Sequence, residues 1–276
     1  QYLRDEDGVE RGAKPFSLLD GPYTQTGTSE LVAILGDAKI FPFPKPTDLI
    51  RQLVQYANPA ENFIFLYFFA GSGSSADAIL RLNAEDGKGR RFISVQLPEP
   101  TGREDYKSIA DITKARIRKV GESIASKDQT PCDVGFRVFK LDTSNINTWE
   151  PDRNDMDQTL LDHLEHIKPG RSEADILYEL LLKLGLDLCV PIEERSIAGK
   201  AVHSIGAGAL LACLTEHISR DEAEALALGM IEWHKEIAPA SETTCVFRDS
   251  AFTDDVAKTN LAAILEQHSI KTVRSL

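Results

Sequence analysis

The 276-residue chain is poor in cysteine and short of positive charge, and it has no long uninterrupted apolar stretch. Its four cysteines, Cys132, Cys189, Cys213 and Cys245, are widely scattered, with no Cys-x-x-Cys pair and no neighbouring histidine pair. That spacing argues against a zinc site and reads as reduced, partly buried thiols. His163 and His166 stand one helical turn apart, but in a polar stretch that suits a solvated helix face better than a metal. No run approaches the roughly 20 apolar residues that cross a bilayer. The N-terminus carries no signal pattern, so the expectation is a cytoplasmic chain with no membrane partner. Acids outnumber bases by 43 to 31, for a net charge of −12. A surface that grips duplex DNA by itself is normally basic, because phosphate neutralisation drives the affinity, so this chain alone should bind DNA poorly. Basic residues gather only at Lys88, Arg90 and Arg91, and at Lys114, Arg116, Arg118 and Lys119, where a solvated helix face is the expectation. No internal repeat appears at a fixed period.

What the chain does have is a buried-strand pattern that ends on a glycine turn. The run Phe63-Ile-Phe-Leu-Tyr-Phe-Phe69 is apolar without alternation, as in a parallel strand covered on both faces. Ala70, Gly71, Ser72 and Gly73 follow at once, and then a helix over 74–83. Glycines at the carboxyl end of a strand allow a tight turn and close backbone approach to a ligand, while the next helix aims its positive end at the same spot. In an open α/β sheet this is the place for a nucleotide-like cofactor. A P-loop is excluded, since no lysine follows Gly73 before Lys88. Gly71-Ser-Gly-Ser-Ser-Ala76 meets the loose dinucleotide fingerprint, but the next strand, over 91–97, offers Gln96 where an acid is wanted. A nicotinamide-dependent oxidoreductase therefore stays open only on that loose match, and a bare strand-to-helix turn is the plain structural alternative.

Phe68-Phe-Ala-Gly-Ser-Gly73, Ile79-Leu-Arg-Leu-Asn-Ala-Glu-Asp-Gly87 and Arg90-Arg-Phe-Ile-Ser-Val-Gln-Leu-Pro-Glu99 together resemble the modification subunit of type III restriction-modification systems. Ile40-Phe-Pro-Phe-Pro-Lys-Pro-Thr-Asp-Leu-Ile50 is similar to the lysine-proline element that precedes the glycine turn in that family. Gly135-Phe-Arg-Val-Phe-Lys-Leu141, Val246-Phe-Arg-Asp-Ser250 and Val273-Arg-Ser-Leu276 look like further family segments, so the resemblance runs from about Thr26 onward. It implies an adenine-specific DNA methyltransferase that uses S-adenosylmethionine, works on double-stranded DNA, joins a restriction subunit and forms a homodimer. It also implies that Phe69, Ala70, Gly71, Ser72 and Gly73 line the cofactor, that Gln96 meets the ribose, and that Pro44, Lys45 and Pro46 border the methionine end. Two departures stand out. Tyr67 occupies the position of an aspartate that meets the methionine ammonium, and a phenol is neutral near pH 7. The catalytic Asp-Pro-Pro-Tyr tetrapeptide, which holds an extruded adenine against the donor methyl, occurs nowhere in the 276 residues. The resemblance is thus to a C-terminal portion without its catalytic segment, inactive alone, and the competing class is a non-catalytic assembly or DNA-binding module.

The implied fold is α/β: a partial Rossmann-like methyltransferase sheet with a second, smaller α/β domain. Residues 1–38, rich in Gly and Thr with little periodicity, read as the tail of the target-recognition region and a connector, 39–145 as the cofactor-binding half of the methyltransferase domain, and 156–276 as a C-terminal α/β domain for assembly or DNA contacts. Expected elements are a helix over 45–57, strand 63–69, helix 74–83, strand 91–97, helix 109–126 and strand 135–141. A linker over 142–155 follows, around Trp149 and Pro151. Beyond it come helices over 157–167 and 173–184, two short strands over 195–205 turning at Gly199-Lys200, and helix 220–236. The final strand, helix and strand at 243–248, 254–267 and 271–274 favour a parallel pair. Asp249, Asp254 and Asp255 read as strand-end and helix-cap residues rather than a metal site.

Overall fold

The computed structural model describes the backbone of residues 3–4 and 10–11 and all of 21–57, 63–127, 132–147 and 167–276. The chain divides into two compact units, Gln1–Phe136 and Arg137–Leu276. Both mix helices and sheet.

The first unit opens with a short antiparallel pair, β1 (Leu3–Arg4) and β2 (Glu10–Arg11). Helix α1 (Thr24–Leu35) lies inside the stretch expected to be irregular. Its Gly and Thr residues carry little helix propensity, but Leu31 is buried in a cluster with Ile40 of the following loop and Ile112, and that tertiary contact decides the outcome. Helix α2 (Thr47–Ala57) begins just after Pro46, with Asp48 in its first turn suiting the dipole. Then β3 (Ile64–Tyr67), α3 (Ser74–Asp86) and β4 (Arg91–Ser94) form a parallel β-α-β unit in which Ile64 pairs with Arg91 and Tyr67 with Ser94. Pairing continues past β4, where Val95 N–H donates to the Tyr67 carbonyl and Ala70 N–H to that of Val95. Helix α4 (Ile109–Lys127) packs Ile117, Val120 and Ile124 against Ala76 and Leu80 of α3.

The sheet of this unit corrects one expectation. Phe63, Phe65 and Phe92 pack against α2 and α3, but Ile64 and Leu66 are each about half exposed, as are Ile93 and Val95. One face of β3–β4 is covered and the other is open. The apolar run supplied side chains for two covers, and among the described residues only one cover exists. Gly135–Leu141 is a second correction, since it forms no strand and Val138, Phe139 and Leu141 are exposed. Its composition suits a strand, but the segment pairs with no described strand, and composition alone does not make a ladder.

The second unit is a five-stranded mixed sheet in the order β5-β6-β7-β8-β9. Its strands are β5 (Ile192–Ile197), β6 (Lys200–Ile205), β7 (Leu210–Cys213), β8 (Thr244–Phe247) and β9 (Thr272–Ser275). The first three run antiparallel, and β7, β8 and β9 are parallel. The β5–β6 turn falls on Ala198 and Gly199, both at positive φ, one residue before the expected Gly199-Lys200. Period-two alternation splits β7 between two cores. Leu210 and Ala212 face α5 (Glu173–Lys183), while Leu211 and Cys213 face α6 (Arg220–Ile237) and α7 (Asp255–Gln267). Burial pushes the Cys213 thiol up to about 11 and Cys245 to about 12, so both remain protonated core side chains. Asp254 caps α7 by accepting from Ala257 N–H at 2.9 Å. The helix expected over 157–167 lies outside the described residues except for Ile167, as do His163, His166, Trp149 and Pro151. No helix among the described residues is long and apolar enough to cross a membrane.

Gly27 of α1 is where the first unit admits no side chain. A Cβ there would stand 2.2 Å from the Pro44 carbonyl oxygen. Alanine normally favours a helix interior over glycine, yet Gly27→Ala should lower the unfolding free energy by about 1–3 kcal/mol through overpacking. Chemical denaturation measures this, and equal or higher stability would contradict the close helix-to-loop approach.

Candidate functional site

The glycine turn sits at the carboxyl end of β3. Gly71 and Gly73 have φ of +54° and +82°, a region L side chains rarely occupy. Gly73 is the N-cap of α3, and Ser74 and Ser75 begin the helix buried. Three groups from other elements hold the turn. Gln96 accepts from Gly71 N–H through Oε1 at 2.8 Å, and Thr113 Oγ1 of α4 donates to the Gly71 carbonyl at 2.6 Å. The third is Arg116.

Arg116 is fully buried, which overturns its expected place on a solvated helix face. Its Nε donates to Asp77 Oδ2 at 2.9 Å, and Asp77 in the first turn of α3 is equally buried. Its Nη1 donates to Ser74 Oγ at 2.9 Å and Ser72 Oγ at 3.3 Å, and its Nη2 reaches Glu30 Oε2 of α1 at 3.4 Å. The same Glu30 oxygen accepts from Thr47 N–H at the start of α2 at 3.0 Å. One guanidinium therefore links the turn, α1, α3 and α4, and through Glu30 also α2. Arg81 adds a second donor to Asp77 at 2.6 Å. A buried charge is tolerable only when paired and hydrogen-bonded in this way. The start of α4 is fixed by Asp111, which accepts from Ser108 N–H at 2.9 Å. Hydrogen bonds from Lys114 and Ser108 bring its carboxyl down to about 2. A depressed carboxyl stabilises the fold above its ordinary value near 3.8, and that contribution is lost as pH falls toward 2.

The turn opens on a cavity of about 270 Å³. It is lined by Phe41, Pro42, Phe43 and Lys45 from the loop before α2, by Tyr67, Phe69, Ala70, Gly71 and Ser72, and by Ser74 and Ser75 of α3. Of the residues expected to gather, Lys45, Tyr67, Phe69, Ala70, Gly71 and Ser72 line this one space. Pro44 and Pro46 are buried and do not line it, and Gly73 caps the helix. Gln96 is engaged by the turn, and its Nε2 donates to the Leu97 carbonyl at 3.2 Å. Phe41, Phe43, Ser74 and Ser75 were not foreseen as site residues, although the paired Phe-Pro steps and the serine run marked them. Among the described residues Lys45 is the only charged one in the lining, and no acid lines the cavity. Among the described residues no cluster of three His, Cys, Asp or Glu side chains could hold a metal ion.

No family model matches the chain. Comparison with curated proteins places it among relatives of methyltransferases. The type II methyltransferase M.KpnI of Klebsiella pneumoniae is 32% identical over 108 residues, 37% of this chain and 25% of that protein. Within that class the matches converge on one kind of subunit. The EcoPI Mod subunit of a type III restriction-modification enzyme from Escherichia phage P1 is 32% identical over 198 residues, 69% of this chain and 30% of the relative. The EcoP15I Mod subunit of Escherichia coli is 30% identical over 192 residues, 67% and 28% respectively. The chain is thus a Mod-like sequence, homologous to part of a type III modification subunit. Its matches span less than a third of the length of these relatives.

Arg116→Met should cost about 3–5 kcal/mol of stability, because it leaves Asp77 buried with its main partner gone. Adding Asp77→Leu should return part of that loss, since the two sites share one interaction. Urea unfolding of the two single variants and the double variant measures the coupling, and strictly additive losses would contradict the pairing.

Proposed function

We propose that the chain is the cofactor-binding, C-terminal part of a DNA adenine N6-methyltransferase of a type III restriction-modification system. The observation that carries this reading is the cavity at the glycine turn, formed by six of the residues named from the family motifs, in a chain whose relatives are Mod subunits and a methyltransferase. S-adenosylmethionine supplies a methyl group on a positively charged sulfur, so the protein's work is alignment and exclusion of water. In this chain the backbone from Phe69 to Gly73 and the rings of Phe41 and Phe69 suit the nucleoside part. Lys45 and the buried serines are donors suited to a carboxylate. The ammonium of the methionine end finds no acid among the described residues, because Tyr67 lines the cavity where the family resemblance implies an aspartate.

On this reading double-stranded DNA and the restriction subunit are partners of the intact subunit, which works as a homodimer in the cytoplasm. The polypeptide by itself transfers no methyl group, because no Asp-Pro-Pro-Tyr segment is present to hold the target amino group. A second reading, an assembly module without cofactor, draws on the open apolar face of Ile64, Leu66, Ile93 and Val95. Radiolabelled S-adenosylmethionine offered beside NAD separates these readings and the oxidoreductase alternative.

The Tyr67 position gives the sharper test. Loss of a charge-assisted hydrogen bond costs about 1.5–3 kcal/mol, or roughly tenfold to more than a hundredfold in affinity. Calorimetry should therefore find little S-adenosylmethionine binding to the chain as it stands and a measurable gain in Tyr67→Asp, with thermal melts showing both folded. Equal affinity in the two proteins would mean that Tyr67 does not face the cofactor.

A further inference from the structure

Phe43 is the most conspicuous side chain of the cavity wall for which the fold gives no reason. It is 84% exposed. Its backbone lies in the left-handed region at φ +54°, where a bulky L residue is a genuine outlier. It also precedes Pro44, and a residue before proline is normally driven to extended backbone. A phenylalanine that gains nothing from burial and sits on a disfavoured backbone is costly, and such outliers persist only where the surroundings impose them.

The surroundings do impose this one. On one side Phe41 lies over Gly71, where an added Cβ would meet Phe41 Cζ at 3.2 Å, and Ile40 is buried with Leu31 and Ile112. On the other side Pro44 and Pro46 are buried, the Pro44 carbonyl is seated against Gly27, and Thr47 N–H is held by Glu30. The loop is anchored at both ends, and Phe43 is lifted out between the anchors to the same cavity that Phe41, Tyr67 and Phe69 line. Phe69 is likewise 78% exposed. Four aromatic rings and a single charge around one small cavity match a flat, uncharged heteroaromatic ring, which stacks on such side chains whatever its hydrogen-bonding edges.

We infer that Phe43 is a base-stacking residue, whose ring covers one face of the adenine of an adenosine ligand held at the glycine turn. This rests on the cofactor reading above and adds to it the residue that closes the pocket over the purine. The lone exposed phenylalanine of an ordinary surface carries no meaning. This one is set apart by its backbone, its two anchors and its place on the cavity.

The probe is 5′-methylthioadenosine, which has the purine and ribose but no amino-acid end, so the Tyr67 position does not enter. It is titrated by calorimetry into the chain, Phe43→Asn and Phe43→Trp, with thermal melts of each. Asparagine tolerates left-handed backbone, so Phe43→Asn should melt at or above the parent temperature while its affinity falls about tenfold or more. Phe43→Trp should keep the affinity, and its added indole should be quenched as ligand binds. Undiminished affinity in Phe43→Asn, a lower melting temperature accompanying its loss, or an indole that ignores the ligand would each overturn the assignment while leaving the cofactor reading in place. Binding to none of the three proteins would overturn the cofactor reading and the assignment together.

Discussion

The buried pair of Arg116 and Asp77 is the constraint on which the first unit depends. Two full charges with no exposed surface persist only if every donor and acceptor finds a partner. Meeting that condition requires the serine hydroxyls of the glycine turn, a carboxylate from α1 and the first turn of α3 to converge on one helix, α4. The polar network therefore specifies where the turn stands as well as how firmly it is held. Apolar packing among Ala76, Leu80, Ile117 and Val120 brings α3 and α4 together, but such contacts tolerate small slides that a forked guanidinium does not.

From that fixed point the rest of the site follows in short steps. The turn places Gly71 and Gly73 in left-handed conformations, and Gln96 accepts from the Gly71 N–H while Thr113 donates to the Gly71 carbonyl. The loop before α2 is tied to α1 through Gly27 and Glu30, which sets Phe41, Phe43 and Lys45 opposite the turn. The outcome is a cavity with aromatic walls, donor groups and, among the described residues, no acid. On the proposed reading such a space suits a purine and an anionic end better than a cationic one, because Tyr67 stands where the family resemblance implies an aspartate.

Much of this was legible in the residues. The glycine turn was visible because positive φ demands glycine, and β3, α3, β4 and α4 appeared within a few residues of their expected bounds because an apolar run, the glycines that end it and the helical spacing of α4 mark them. In the second unit the closing strand, helix and strand form the parallel pair that their order favours. Arg116 was misread because charge on a helix usually faces water. Its position between Ile112 and Val120 at helical spacing placed it on the apolar stripe, and that was the signal available. Helix α1 was hidden by residues of low propensity that packing overrides. Gly135–Leu141 shows the opposite error, a strand pattern that pairs with no described strand. The double cover expected for β3 failed for a related reason, since composition records what a strand could bury and not what is present to bury it.

The central claim is that the Arg116-clamped turn at the end of β3 is an adenosyl-ligand site. Amide chemical-shift mapping of the isotopically labelled chain during titration with S-adenosylhomocysteine and with adenosine tests it most directly. The account predicts saturable shifts concentrated at Ala70–Ser75, Lys45 and Phe43, with the amides of β5–β9 unmoved. Shifts that are absent from the turn, or confined to the second unit, would contradict it.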